Sequence, residues 1–239
     1  MLGEDRPKVG QMFGKCRPML ARSRPNNVDC VRLNAYPGFA FDEKYSPGRQ
    51  DFNSVLGALN LGWQCKRVRL KGFGLMAPQC SSWLQFLDQT NHGRTKDNIF
   101  GKELEPDVAE GNITASLIGF LIEFLTYRGV YVLVEQPTDS LQPLHPAMAC
   151  AYSTVGASRY HTWLGAFGCA SPKPTQFHTT FPESAMVEYL VRSKPKETKQ
   201  KSTHVDRNGN INGNQCITET EAYTDELGQC FALALKSVQ

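Results

Sequence analysis

The stretch Gly74-Leu-Met-Ala-Pro-Gln-Cys-Ser-Ser-Trp83 places a cysteine where a short apolar run gives way to polar residues. A thiolate is a strong carbon nucleophile once its pKa is lowered, and a strand end or helix start is one place where that happens. Further along, Val130-Tyr-Val-Leu-Val134 ends in Glu135-Gln136-Pro137. A carboxyl so placed can act as an acid. Two earlier carboxylates, Asp42 after Tyr36-Pro-Gly-Phe-Ala-Phe41 and Asp51 before a helical pattern, suit the hydroxyl and amino groups of a nucleoside. Each residue also has an ordinary reading. Cys80 fits a packing cysteine, Glu135 the surface end of a strand, and Asp51 a helix cap. The five histidines form no ligand-spaced cluster and no CxxC pair occurs, so no metal is assigned.

The elements that must position these groups can be read from periodicity. Val9 to Gly14 reads as a short strand with a glycine turn, and Tyr36 to Phe41 as another, though Pro37 suits a sheet edge. From Asp51 to about Leu70 the pattern predicts a helix capped by Asp51, with Phe52, Val55, Leu56 and Leu59 on one face. Phe73 to Ala77 is a strand, and residues 84 to 106 a long polar loop. Asp107 to Arg128 is a helix with Ile113, Leu117, Phe120, Leu121, Phe124 and Leu125 at helical spacing, stopped by Gly129. The run 130–134 reads as a strand covered on both faces. A shorter helix through 140–152 and strands at Thr162–Phe167 and Thr175–His178 follow.

Strands alternating with helices predict an α/β domain over residues 1–191, a Rossmann-like three-layer sandwich with a mostly parallel sheet. Ligands of such sheets lie beyond the carboxyl ends of the strands, so Asp42, Asp51, Cys80 and Glu135 should line one crevice. Residues 192–215, with RSKPKETKQK and NGNINGN, read as a basic, turn-rich linker or insertion. Residues 216–239 read as a C-terminal helix packing back on the domain. A net charge of +3 is too small to argue nucleic-acid binding by itself. No run has the length to cross a membrane, and MLGEDRPKVG lacks the apolar core of a secretory signal. Eight scattered cysteines read as reduced thiols of an intracellular chain, nuclear or cytoplasmic.

One reaction needs a thiol and a carboxyl together. Sulfur attacks C6 of a cytosine while the acid serves N3, and C5 then takes a methyl group from a sulfonium donor. The series Phe41-Asp42, Asp51, Ala77-Pro78-Gln79-Cys80 and Glu135-Gln136-Pro137 resembles the cytosine-C5 DNA methyltransferase family, in the same order. With Cys80-Ser-Ser-Trp83, Gly93-Arg94, Gly111-Asn112, Thr162-Trp-Leu-Gly-Ala-Phe-Gly168 and Lys173-Pro-Thr175, it resembles more closely divergent methyltransferase-like proteins of unicellular algae and phage-type DNA methylases. The resemblance spans roughly residues 9 to 180 and implies a class I methyltransferase-like fold. It implies Cys80 as nucleophile and Glu135 as acid. S-adenosylmethionine would be bound by Phe13, Gly14, Asp42, Asp51 and Pro78. Substrate would meet Ser81, Arg94, Gln136, Pro137, Lys173 and Thr175. The implied partner is nucleic acid, namely DNA, with a protein partner as a possible source of target recognition. The chain departs from the family in its donor loop, where Lys15, Arg17 and Pro18 follow Phe13-Gly14, and at Gln79 and Gln136. Those departures keep a second reading open: a catalytically inactive fold used for binding or assembly.

Overall fold

The computed structural model describes residues 11–12, 54–84, 92–169, 171–196, 203–205, 211–213 and 223–239. Strand β1 is Gln11–Met12. Helix α1, Val55–Arg67, is capped by Ser54, whose Oγ accepts from Gly57 N at 3.0 Å; Asp51 lies outside the described residues. At the other end Cys65 O accepts from Val68 N at 3.2 Å and from Arg128 Nη1 at 3.0 Å, which ties the last turn to a distant part of the chain. The buried residues of α1 are Gly57, Leu61 and Cys65, whereas Val55, Leu56 and Leu59, expected to face the core, are exposed. The inward face carries one leucine flanked by Gly57 and Cys65 at i, i+4 and i+8, so counting large apolar side chains selects the wrong face.

Strand β2 is Phe73–Met76, helix α2 is Pro106–Tyr127, and strand β3 is Tyr131–Pro137. Helix α3 is Pro146–Val155, strand β4 is Ser158–Trp163, and strand β5 is Pro174–Thr179. Proline fits the first position of both α2 and α3, where its missing N–H has no helical acceptor. With 22 residues, α2 is long and apolar enough to span a bilayer by length and composition, more than the sequence runs led us to expect. Its buried residues, among them Ala115, Ile118, Ile122 and Leu125, join the core of the domain. Ile113 and Phe120, placed on the apolar face by spacing, are exposed. A Cβ on Gly119 would stand 2.7 Å from Ala147 O, so this glycine permits the close crossing of α2 and α3.

The sheet order is β1-β2-β3-β5-β4. β1 pairs parallel with β2 through two residues, β2 pairs parallel with β3, and β5 is antiparallel to both β3 and β4. With β1 so short, the body of the sheet is four strands with one parallel pair. The expected mostly parallel, Rossmann-like sheet of class I methyltransferase type is therefore corrected to a small mixed sheet. The reason lies in the β4–β5 connection. Between Trp163 and Pro174 there is only the helical turn Leu164–Phe167, where a parallel crossover needs about a dozen or more residues. The chain turns back, and β5 inserts between β3 and β4.

One face of the sheet packs Met76, Val132 and Val134 against α1, α2 and α3. The other packs Phe73, Leu75, Leu133 and Phe177 against the helical turns at Glu183–Ala185 and Met186–Leu190 and against helix α4, Asp225–Ser237. Thr224 caps α4, accepting from Leu227 N at 3.3 Å. The stretch expected as a linker contains an antiparallel pair, β6 (Thr203–Val205) and β7 (Ile211–Gly213).

Candidate active site

Leu75 pairs with Leu133 and Met76 with Val134, so β2 and β3 deliver their carboxyl ends to the same edge. After Met76 the chain leaves the sheet through buried Ala77 and Pro78. Gln136 Nε2 donates to Pro78 O at 2.8 Å, and Ser140 Oγ donates to Gln136 Oε1 at 2.7 Å, both inside the protein. Gln136 is thus a strut holding the Cys80 segment against β3. Cys80 stands before the turn Ser81–Trp83, and its carbonyl accepts from Trp83 N at 2.9 Å. It is half-buried and belongs to neither of the two core clusters. Half-buried Ser81 accepts from Gln79 Nε2 at 2.8 Å.

Along β3 successive side chains alternate between faces. Val134 joins the α2 side and Leu133 the α4 side, which sends Glu135 toward α4. Glu135 is 5% exposed, and its Oε2 accepts from Tyr223 OH at 2.9 Å. Lys173 Nζ lies 3.7 Å from Oε1 and 5.8 Å from the centre of the Tyr223 ring. Lys173 takes a left-handed backbone, φ 37°, a conformation that costs a non-glycine residue about 1–3 kcal/mol and often marks functional sites. Its carbonyl accepts from Leu164 N and from Thr175 Oγ1, both at 3.1 Å. Thr175 is buried, opposite Pro137 in the β3–β5 register. Burial pushes the nearby Cys169 thiol up; the Lys173 ammonium pulls it down and Glu135 adds to the rise.

Cys80, Gln136, Pro137, Glu135, Lys173 and Thr175 thus share one edge. Arg94 does not join them. It is 2% exposed, lies 3.6 Å from the centre of the Trp83 ring, and donates to Ile99 O, Val108 O and Asn112 Oδ1. Burial pulls its pKa down to about 10, which leaves it a cation at neutral pH. Arg94 therefore clamps the 92–100 segment onto α2. The donor-side residues Phe13, Gly14, Asp42 and Asp51 lie outside the described residues; of that set Pro78 alone is placed, with its carbonyl taken by Gln136. Among the described residues no group of three or more His, Cys, Asp or Glu is placed to hold a metal ion.

Tyr223 was missed by sequence reasoning. It lies 88 residues beyond Glu135, in front of a helix cap, and local pattern gives no hint of its partner. No family model matches the chain, and neither does a curated protein or a solved structure.

Proposed function

We propose that the chain transfers a methyl group to C5 of cytosine in DNA, with Cys80 as nucleophile and Glu135 as acid. The observation that carries this reading is the Gln136–Pro78 hydrogen bond, which ties the half-buried thiol and the buried carboxyl to one edge of two adjacent parallel strands. The reading rests on that edge and not on the overall topology of the sheet. The Cys80 thiolate adds to C6, and the Glu135 carboxyl gives its proton to N3, leaving C5 as an enamine carbon. A sulfonium donor, S-adenosylmethionine, supplies the methyl group. The donor leaves as its thioether, a base removes the C5 proton, sulfur leaves C6 as the thiolate, and N3 returns its proton to Glu135. Tyr223 and Lys173 hold the Glu135 carboxyl from two sides.

The test is covalent capture. With donor present, a single-stranded oligonucleotide carrying 5-fluorocytosine should become attached to Cys80, because fluorine cannot leave as a proton does. A single strand spares the cost of extruding a paired base. Cys80→Ser should abolish the adduct, since an unactivated hydroxyl is far less nucleophilic near neutral pH. Glu135→Gln should slow capture strongly and leave donor binding unchanged. Capture that persists in Cys80→Ser, or a wild type that forms no adduct, would sink the proposal.

A further inference from the structure

Two tryptophans flank the edge in sequence, and their surroundings differ. Trp83 is fully buried beneath the Arg94 guanidinium and can offer no face to a ligand. Trp163 is half-buried at the end of β4, with the Lys194 ammonium 5.4 Å from its ring centre. β4 is antiparallel to β5, which is antiparallel to β3, so β4 ends at the edge where β3 ends. The register is close: Trp163 lies opposite Pro174, next to Thr175, which faces Pro137. In strand order the edge carries Cys80, Glu135, Lys173 and Trp163, with Glu135 on the α4 face and Trp163, of opposite parity to Tyr160, on the other face. Three strand spacings separate β2 from β4, roughly 14 Å, the scale of a few nucleotides.

Cations gather around Trp163, with the Glu226 carboxylate on the α4 side near Gly168. Arg159 and His161 are exposed on β4 and alternate onto the face that Trp163 shares. Arg192, Lys194 and Lys196 follow in the segment 191–196, and Arg192 lies 5.4 Å from the centre of the Phe167 ring. Neither α3, β4, β5 nor residues 191–196 contain a carboxylate. Cations interleaved with an accessible ring are what a single strand needs, since bases stack on aromatics while phosphates meet Lys and Arg.

We propose that Trp163 and Lys194, with Arg159 further back along the same face of β4, form the docking surface for single-stranded DNA, leading the strand around the sheet edge toward Cys80. The proposal rests on the nucleic-acid substrate proposed above and names the surface that holds it. The test uses the full chain and a fluorescently labelled single-stranded oligodeoxynucleotide, followed by anisotropy from low to high salt. Lys194→Glu, at an exposed position where folding is not at stake, should weaken binding roughly tenfold and lower the log–log salt slope by about one or more. In a Trp63→Phe background, binding should quench tryptophan fluorescence, and Trp163→Phe should remove that quenching. Wild type that does not bind at low salt, or binds with the same affinity and slope as Lys194→Glu, overturns the proposal. So does quenching that survives in Trp163→Phe. The capture experiment separates the two readings. Variant-sensitive binding without an adduct keeps the surface and discards the Cys80 chemistry. An adduct formed with unchanged affinity in Lys194→Glu does the reverse.

Discussion

Replacing Tyr223 with phenylalanine tests the contact that joins the last helix to the candidate acid. The change removes one oxygen and leaves the ring to keep its packing, as Tyr223 and Glu135 are both buried. Lost is the 2.9 Å hydrogen bond to Glu135 Oε2. A buried acceptor left without its donor costs about 1–3 kcal/mol. Lys173, 3.7 Å from the other oxygen, remains and offsets part of that loss. We expect Tyr223→Phe to destabilise the protein by about 2 kcal/mol, which in a chain of this size lowers Tm by roughly 4–8 °C. Urea unfolding reads it as a lower midpoint with an unchanged slope. The decisive arm is a double-mutant cycle with Glu135→Gln. Residues in contact couple by about 0.5–3 kcal/mol, so Tyr223→Phe should cost clearly less in the Glu135→Gln background. Equal cost in both backgrounds would refute the reasoning.

Two further outcomes follow from the packing. His178 is buried against Tyr152, ring centres 4.3 Å apart, with Gln176 Oε1 at 3.3 Å and Arg159 and His161 as cationic neighbours. Burial first, then Arg159 and His161, pulls its pKa down to about 4. The unfolded chain takes up the proton near the ordinary value of about 6.5 and the folded one does not, so stability present at neutral pH is lost as pH falls from about 6.5 to about 4. The loss is on the order of 3 kcal/mol from this group, and the stability profile of His178→Gln over that window should be flatter by nearly one proton. At Gly111 an added Cβ would meet Ser82 Oγ at 2.6 Å, Arg94 Nη2 at 3.0 Å and Trp83 Nε1 at 3.2 Å. Gly111→Ala should therefore cost about 1–3 kcal/mol in denaturant unfolding, despite the gain in helix propensity; a neutral or stabilising result would mean that the Arg94 clamp yields freely.

What could be read from sequence was what is local. The β-branched run ending in Glu135 gave a central strand, and Gly129, at φ 70°, stops the helix before it. The Cys80 segment and β3 were placed at one edge because both strands are short apolar runs separated by a helix. Strand direction was less legible. Alternation of elements favours parallel pairing, but the sense of β5 is set by the brevity of residues 164–173, where the helical turn Leu164–Phe167 passes for more strand. Helix faces failed where the core wanted small residues, as at Gly57 and Cys65 of α1. The resemblance of Gly93-Arg94 places Arg94 against substrate, and the structure buries it instead. Burial under it of a tryptophan face and three carbonyl-type acceptors cannot be seen in a loop pattern.

The site also depends on contacts that no short window contains. Gln136 secures the Cys80 segment through a carbonyl 58 residues earlier, and Tyr223 reaches Glu135 from 88 residues later. The two bonds leave β3 on opposite faces, since Gln136 and Glu135 are adjacent in the strand. One face therefore holds the thiol segment and the other holds the carboxyl. Leu227 and Phe231 seat helix α4 on the sheet, and the seat brings Tyr223 to Glu135, the acid of the proposed reaction. Any change that unseats α4 should disturb Glu135 and leave the Gln136–Pro78 strut in place. The acid and the nucleophile of the proposed reaction are thus held by separate parts of the fold, each of which can be tested alone.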